Sequence, residues 1–217
     1  MTTFQIKMIA IVTMVVDHIG LFFFPQIIWF RVVGRLSFIL FAWLIANGAR
    51  YTKNIDRYIK RLLIFALISQ IPYSLAFYVL GAEQALNIFF TLALGLIAIK
   101  FIKQTDNYKV WAAAIIVTSL IAELINSDYG ALGVLSISLF YVFYNNIGQT
   151  AVSQTILYLL FSLLNPQNNI SIIQPAALIS LAFIKEYNGK SGPRFKYLFY
   201  AFYPAHLVVL ILLKIFV

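Results

Sequence analysis

An aspartate and a histidine, Asp17 and His18, stand side by side in an apolar run from Phe4 to Phe24. A run of that length spans a bilayer as a helix, which takes roughly 20 residues. Ionisable groups at such a depth are costly unless paired, and they are functional candidates by default. His18 can exchange a proton near neutral pH. As a general base it could take the proton of an amine or hydroxyl that attacks an acyl carbonyl. Neighbouring helix positions point about 100° apart, so the two side chains need not touch. Asp17 is then free to serve another partner while His18 faces a cavity. His206, the other histidine, is the rival base, or the group that stabilises a developing oxyanion. The chain has no Cys for an acyl-enzyme, and no Ser sits in a nucleophile elbow. Direct, base-assisted transfer from a bound thioester is the simplest acyl-transfer scheme.

Helices must position these groups. Hydrophobic residues make up 62% of the 217 positions and charged residues 11%, against about half and a quarter in a soluble domain. The composition indicates a polytopic membrane protein, all-α, folded as one domain over 1–217. The first helix is too long for a cleavable signal peptide. Without Cys, and with few carboxylates, no metal site and no disulfide framework is expected. The net charge of +9 is better explained by basic loops than by nucleic acid.

Nine hydrophobic segments can be drawn, at about 4–24, 28–48, 59–80, 86–103, 109–126, 130–147, 151–165, 171–186 and 196–216. The weak breaks after Tyr129 leave the count between eight and ten. Segments seven and eight are short, and Pro166 and Pro175 near their ends predict tilted or broken helices, or helices buried in protein. With nine crossings, one side of the membrane receives Arg50, Lys53, Arg57, Lys60 and Arg61, then Lys100, Lys103 and Lys109, then Lys185, Lys190, Arg194 and Lys196. This partition puts the N-terminus in the cytoplasm and the C-terminus outside a bacterial inner or plasma membrane.

Depth follows from 1.5 Å of rise per residue. Asp17 and Arg35 each lie roughly 10 Å below the outer ends of their helices, so an ion pair between them is geometrically allowed. His206 lies roughly 15 Å from the outer end of the last helix, two residues after Pro204. Asn87, Glu123, Asn126 and Asp128 fall towards the outer ends. A cavity opening outward would collect these groups. Simpler roles exist for some: Arg31 and Lys214 could snorkel to the interface, and Asn87, Asn126 and Asp128 could cap helices.

Six stretches carry a resemblance: IKMIAIVTMVVDHIG, VVGRLSFILFAWLI at 32–45, RLLIFALISQIPYSLAF at 61–77, NIFFTLALG at 87–95, DYGALGVL at 128–135 and KYLFYAFYPAHL at 196–207. In this order they resemble the TraX family of integral membrane proteins over nearly the whole chain. The resemblance implies acetyl-CoA as acyl donor and acetylation of an amine, as on the N-terminus of a conjugative pilin. It carries functional roles to Asp17, His18, Arg35, Asp128 and His206. Two positions depart from the expected pattern: Ile39 stands where Pro is expected and Gln70 where Glu is expected.

The expected protein is thus an acyl-CoA-dependent N- or O-acetyltransferase. Its catalytic candidates are His18, Asp17 and His206. Arg35, Arg31 and Arg61 are candidates for the donor, and Asp128, Asn87, Glu123 and Tyr203 for the acceptor. The acceptor is a protein N-terminus, a sugar or a lipid, reached from the bilayer or the outer side. A proton-coupled small-solute transporter would use the same Asp, His and Arg, but no repeated pair of interrupted helices supports it.

Overall fold

The computed structural model describes residues 1–83, 85–166, 172–193 and 195–216. Among them the regular elements are helical: α1 (Thr3–Phe23), α2 (Ile28–Tyr51), α3 (Ile55–Val79), α4 (Ile88–Gln104), α5 (Tyr108–Leu124), α6 (Gly130–Val142), α7 (Ile147–Leu164), α8 (Ser180–Lys185) and α9 (Lys196–Phe216). A 3₁₀ segment, Gln174–Ile179, runs directly into α8. These elements follow the nine hydrophobic segments in order. Among the described residues five stretches are long and apolar enough to cross a membrane: Thr3–Phe23, Ile28–Tyr51, Ile55–Val79, Ile147–Leu164 and Phe199–Phe216. Their outer surface is apolar, with Trp29, Ile71, Leu163 and Leu164 among the exposed side chains. This is the character of a membrane protein, whose lipid solvent covers such a surface.

Helix ends and connections at one end of the bundle carry most of the cations, and we call it the basic end. There Lys100 pairs with Asp56 at 2.6 Å, and Lys103 donates to the Ala49 carbonyl at 2.9 Å. The 186–193 connection meets the N-terminus, with Thr3 N donating to Lys190 O at 2.9 Å. Arg194, counted above with these cations, lies outside the described residues.

Helix α2 is the centre. Its buried residues include Gly34, Arg35, Phe38, Ile39, Ala42, Ala46 and Ala49, and α1, α4, α6 and the Gln174–Lys185 segment pack around it. Ile39 is fully buried in this core, so the expected Pro is replaced by ordinary apolar packing. Helix α1 approaches α2 closely because glycines face large groups. A Cβ on Gly20 would lie 2.2 Å from Phe30 Cβ, and one on Gly34 would lie 2.0 Å from Asp17 Oδ1.

The ends of two connections at the far end, 85–87 and 127–129, sink into the protein. They meet through Leu86 N to Asn126 O (2.9 Å) and Asp128 N to Leu86 O (2.8 Å). Asn87 is not at the outer rim, as its place in the sequence suggested. Its Nδ2 donates to Ala66 O at 2.7 Å and to Gln70 Oε1 at 2.8 Å, seating the start of α4 near the middle of α3. Irregular backbone at such a depth persists only where protein or a cavity satisfies it. Gln70 supplies that satisfaction: its Nε2 donates to Ala85 O at 3.0 Å while its Oε1 accepts from the Asn87 amide at 3.0 Å. An ionised Glu could accept but not donate, so the amide suits this position.

Asn87→Ala removes the α4 cap, through Oδ1 to Phe89 N, and two buried hydrogen bonds. Stability should fall by about 2–3 kcal/mol. Thermal unfolding in detergent should show a lower midpoint than wild type.

Candidate functional site

The charges at the Asp17 level arrive from two helices. Asp17 and Arg35 pair as their depths predicted, with Arg35 Nη2 3.3 Å from both carboxylate oxygens. Arg31, one turn before Arg35, also reaches Asp17 Oδ2 at 2.8 Å. It therefore does not snorkel to the interface. Arg35 is held further by Arg31 O through Nε (3.2 Å) and by Gln174 Oε1 through Nη1 (3.3 Å). Arg35 and Asp17 are buried, where an unpaired charge is far costlier than a paired one.

The 125–129 connection closes over this pair. Tyr129 stacks on Phe38 with centroids 3.9 Å apart, and the Arg35 guanidinium lies 5.9 Å from the Tyr129 ring centre. Tyr129 holds a left-handed conformation, φ 63°, which is uncommon for a bulky side chain and clusters at functional sites. Thr91 donates to the Asp128 carbonyl and so fixes this turn to α4.

His18 takes a different direction from Asp17, as the 100° offset requires. Its Nδ1 lies 2.8 Å from His206 Nε2. His206 Nδ1 lies 3.0 Å from Phe202 O. A carbonyl only accepts, so His206 carries its hydrogen on Nδ1 and offers an Nε2 lone pair. His18 then donates from Nδ1, and its own Nε2 is left as the free basic nitrogen. His18 lines the cavity, while buried His206 stands behind it.

That cavity measures about 1460 Å³. Asp17, His18, Arg31, Arg35, Asp128, Tyr203 and Gln174 all line it, as do Lys7, Tyr58 and Arg61 nearer the basic end. Two expected acceptor residues have other work. Asn87 is not among its lining residues and caps α4. Glu123 sits at the exposed margin, and its Oε1 accepts from Ala131 N at 2.7 Å, capping the start of α6. Arg61 belongs to the basic-end half, away from Arg31 and Arg35. Tyr129, Gln174 and Lys7 are among the lining residues that escaped the sequence. The turn-forming Asp-Tyr-Gly triplet and the polar residue before Pro175 were the available signals for the first two.

Arg35→Ala would leave Asp17 with Arg31 alone in a buried site. We expect a loss of about 3 kcal/mol, read as a lowered thermal midpoint. Gly34→Ala should disrupt the same pair without touching either charge, because its new methyl group would overlap the Asp17 carboxylate. Unchanged midpoints for both variants would show that the pair contributes nothing to stability.

Comparison with known proteins joins this geometry to a family. The sequence pattern of the family described as TraX protein matches residues 3–214. The chain is 30% identical over 241 aligned positions to a protein named "Probable fimbrial assembly protein FimC, serogroup H1" from Dichelobacter nodosus, covering 99% of this chain and 96% of that relative. It is 31% identical over 215 positions to "Protein TraX" from Escherichia coli, covering 94% and 84%. No solved structure matches it. The helical bundle that sets Asp17, His18, Arg35 and Asp128 on one cavity, with His206 behind His18, therefore belongs to a member of the TraX family.

Proposed function

We propose that the protein is a membrane-embedded acyltransferase that moves an acetyl or other acyl group from an acyl-CoA to an amine or hydroxyl. The observation that supports this best is the His18–His206 hydrogen bond at the wall of a cavity lined from both ends of the bundle. The basic end faces the cytoplasm by the distribution of Lys and Arg. Acyl-CoA, when bound, supplies the activated thioester carbonyl.

The acceptor hydrogen goes to His18 Nε2 as the nitrogen or oxygen attacks that carbonyl. His206, held by Phe202 O, fixes the His18 tautomer and orientation. The guanidinium groups of Arg31 and Arg35 lie on the same cavity wall and stabilise the negative charge that develops on the carbonyl oxygen. Asp17 holds both guanidinium groups in place. The proton taken up by His18 then passes to the departing thiolate, which leaves the base ready for another cycle. One relative carries a fimbrial assembly name, which supports a surface-fibre subunit as the acceptor of this chain; the family resemblance adds its N-terminal amine as the group acylated.

The cavity's reach towards both ends also suits a proton-coupled carrier using the same residues. Purified protein in lipid vesicles separates the two. Radiolabel moving from acetyl-CoA to an acceptor peptide supports transfer. Uptake of a solute driven by a proton gradient, with no label moved, would support the carrier.

Within the transfer reading, His18→Asn should lower turnover roughly 10²–10⁴-fold with CoA binding retained. His206→Phe should also slow turnover, by a smaller factor, because it releases the His18 tautomer without removing the base. Near-normal turnover in His18→Asn would remove it from the reaction.

A further inference from the structure

The basic-end half of the cavity holds two cations whose counter-ions are missing from the described residues. Lys7 of α1 and Arg61 of α3 both line it. Neither forms an ion pair among the described residues, and the lining carboxylates are Asp17, Glu123 and Asp128, in the other half. Lys7 Nζ lies 5.0 Å from the Phe199 ring centre. The Arg61 guanidinium lies 5.3 Å from the Tyr58 ring centre, and its buried Nε has no hydrogen-bond partner. Arg61 also hydrogen-bonds the Tyr200 hydroxyl, and Phe199 and Tyr200 are consecutive on α9 and both line the cavity, so this helix sets the two cations at one level of the cavity.

A buried guanidinium hydrogen left unmatched is costly, and neither cation has a carboxylate partner among the described residues. Both problems are solved by a multiply charged oxyanion, which Arg and Lys bind through charge-assisted hydrogen bonds. Tyr58, Tyr200 and Asn47 also line the cavity. Between this place and His18 the lining is mostly apolar, with Ile11, Phe41, Leu44 and Phe89. Lys7 and His18 are eleven positions apart on α1, or roughly 16 Å. The ligand must therefore carry its phosphate at one end and a long, weakly charged arm that reaches His18.

We propose that Lys7 and Arg61 form an anion subsite for the phosphate groups of an organophosphate ligand whose arm extends along the cavity to His18. The subsite rests on the acyl-transfer reading for the arm's identity, the pantetheine of the donor; the phosphate recognition does not depend on it. A phospholipid headgroup offers the same chemistry from the bilayer.

The test compares CoA, which has the phosphates, with pantetheine, which has the arm alone. Binding to the full chain in detergent is read by thermophoresis. CoA should bind at least roughly tenfold more tightly than pantetheine, and Arg61→Gln and Lys7→Gln should each remove most of that difference. His18→Asn should leave it intact. Inorganic pyrophosphate should compete with CoA on the unaltered protein, which keeps the test open if Arg61→Gln unfolds. A second arm measures stabilisation in nanodiscs with and without phosphatidic acid. Stabilisation by phosphatidic acid that needs Arg61, with no CoA preference, would keep the subsite, assign it to a lipid headgroup and overturn the acyl-CoA reading. Equal binding of CoA and pantetheine, no pyrophosphate competition and no phosphatidic acid effect would overturn the subsite itself.

Discussion

Two guanidinium groups and one carboxylate share a buried space at the α1–α2 contact, and their desolvation constrains the rest of the molecule. Each charge would be prohibitively costly alone in an apolar bundle. Together they need short distances, and short distances need the two helices to lie almost backbone to backbone. Gly34 grants that approach because no Cβ intrudes on Asp17. Gly20 does the same against Phe30. The central position of α2 follows: it supplies both arginines, and other elements pack around it to exclude lipid from them.

The same demand explains why regular helices stop short near the site. Arg35 has more donors than Asp17 can accept, and Gln174 takes one of them. Gln174 arrives on a 3₁₀ segment opened by Pro175. Tyr129 arrives on a connection held down by the Thr91 hydroxyl and by the Leu86 backbone, and Gln70 in turn seats the neighbouring Ala85–Asn87 backbone. Backbone that is not helical must find partners inside the protein at this depth, and these amides and hydroxyls provide them. The resulting wall is polar in one patch and apolar elsewhere, which is how a site orients a ligand.

The histidine pair sits beside the charged cluster and is chemically separate from it. The 100° step from Asp17 to His18 divides the labour: one side chain meets the arginines, the other meets His206. A carbonyl acceptor on His206 then sets both tautomers by simple donor–acceptor accounting. The outcome is one free imidazole nitrogen facing a cavity and a second imidazole behind it. Triads of base and orienter use the same logic on unrelated folds.

Composition and hydrophobic run lengths determined the membrane character, the all-helical class and the order of the segments, because lipid forces backbone groups to pair locally along each crossing. Rise per residue alone put Asp17 level with Arg35, since both depths are counted from one shared turn. Six ordered motifs pointed to the family. Tertiary structure decided what depends on direction and on distant partners. It gave Arg31 to Asp17, paired His18 with His206 across 188 positions, and sank Asn87 into the middle of α3. Linear spacing fixes height along a helix, but the azimuth of a side chain becomes a contact only when a second helix is placed against it.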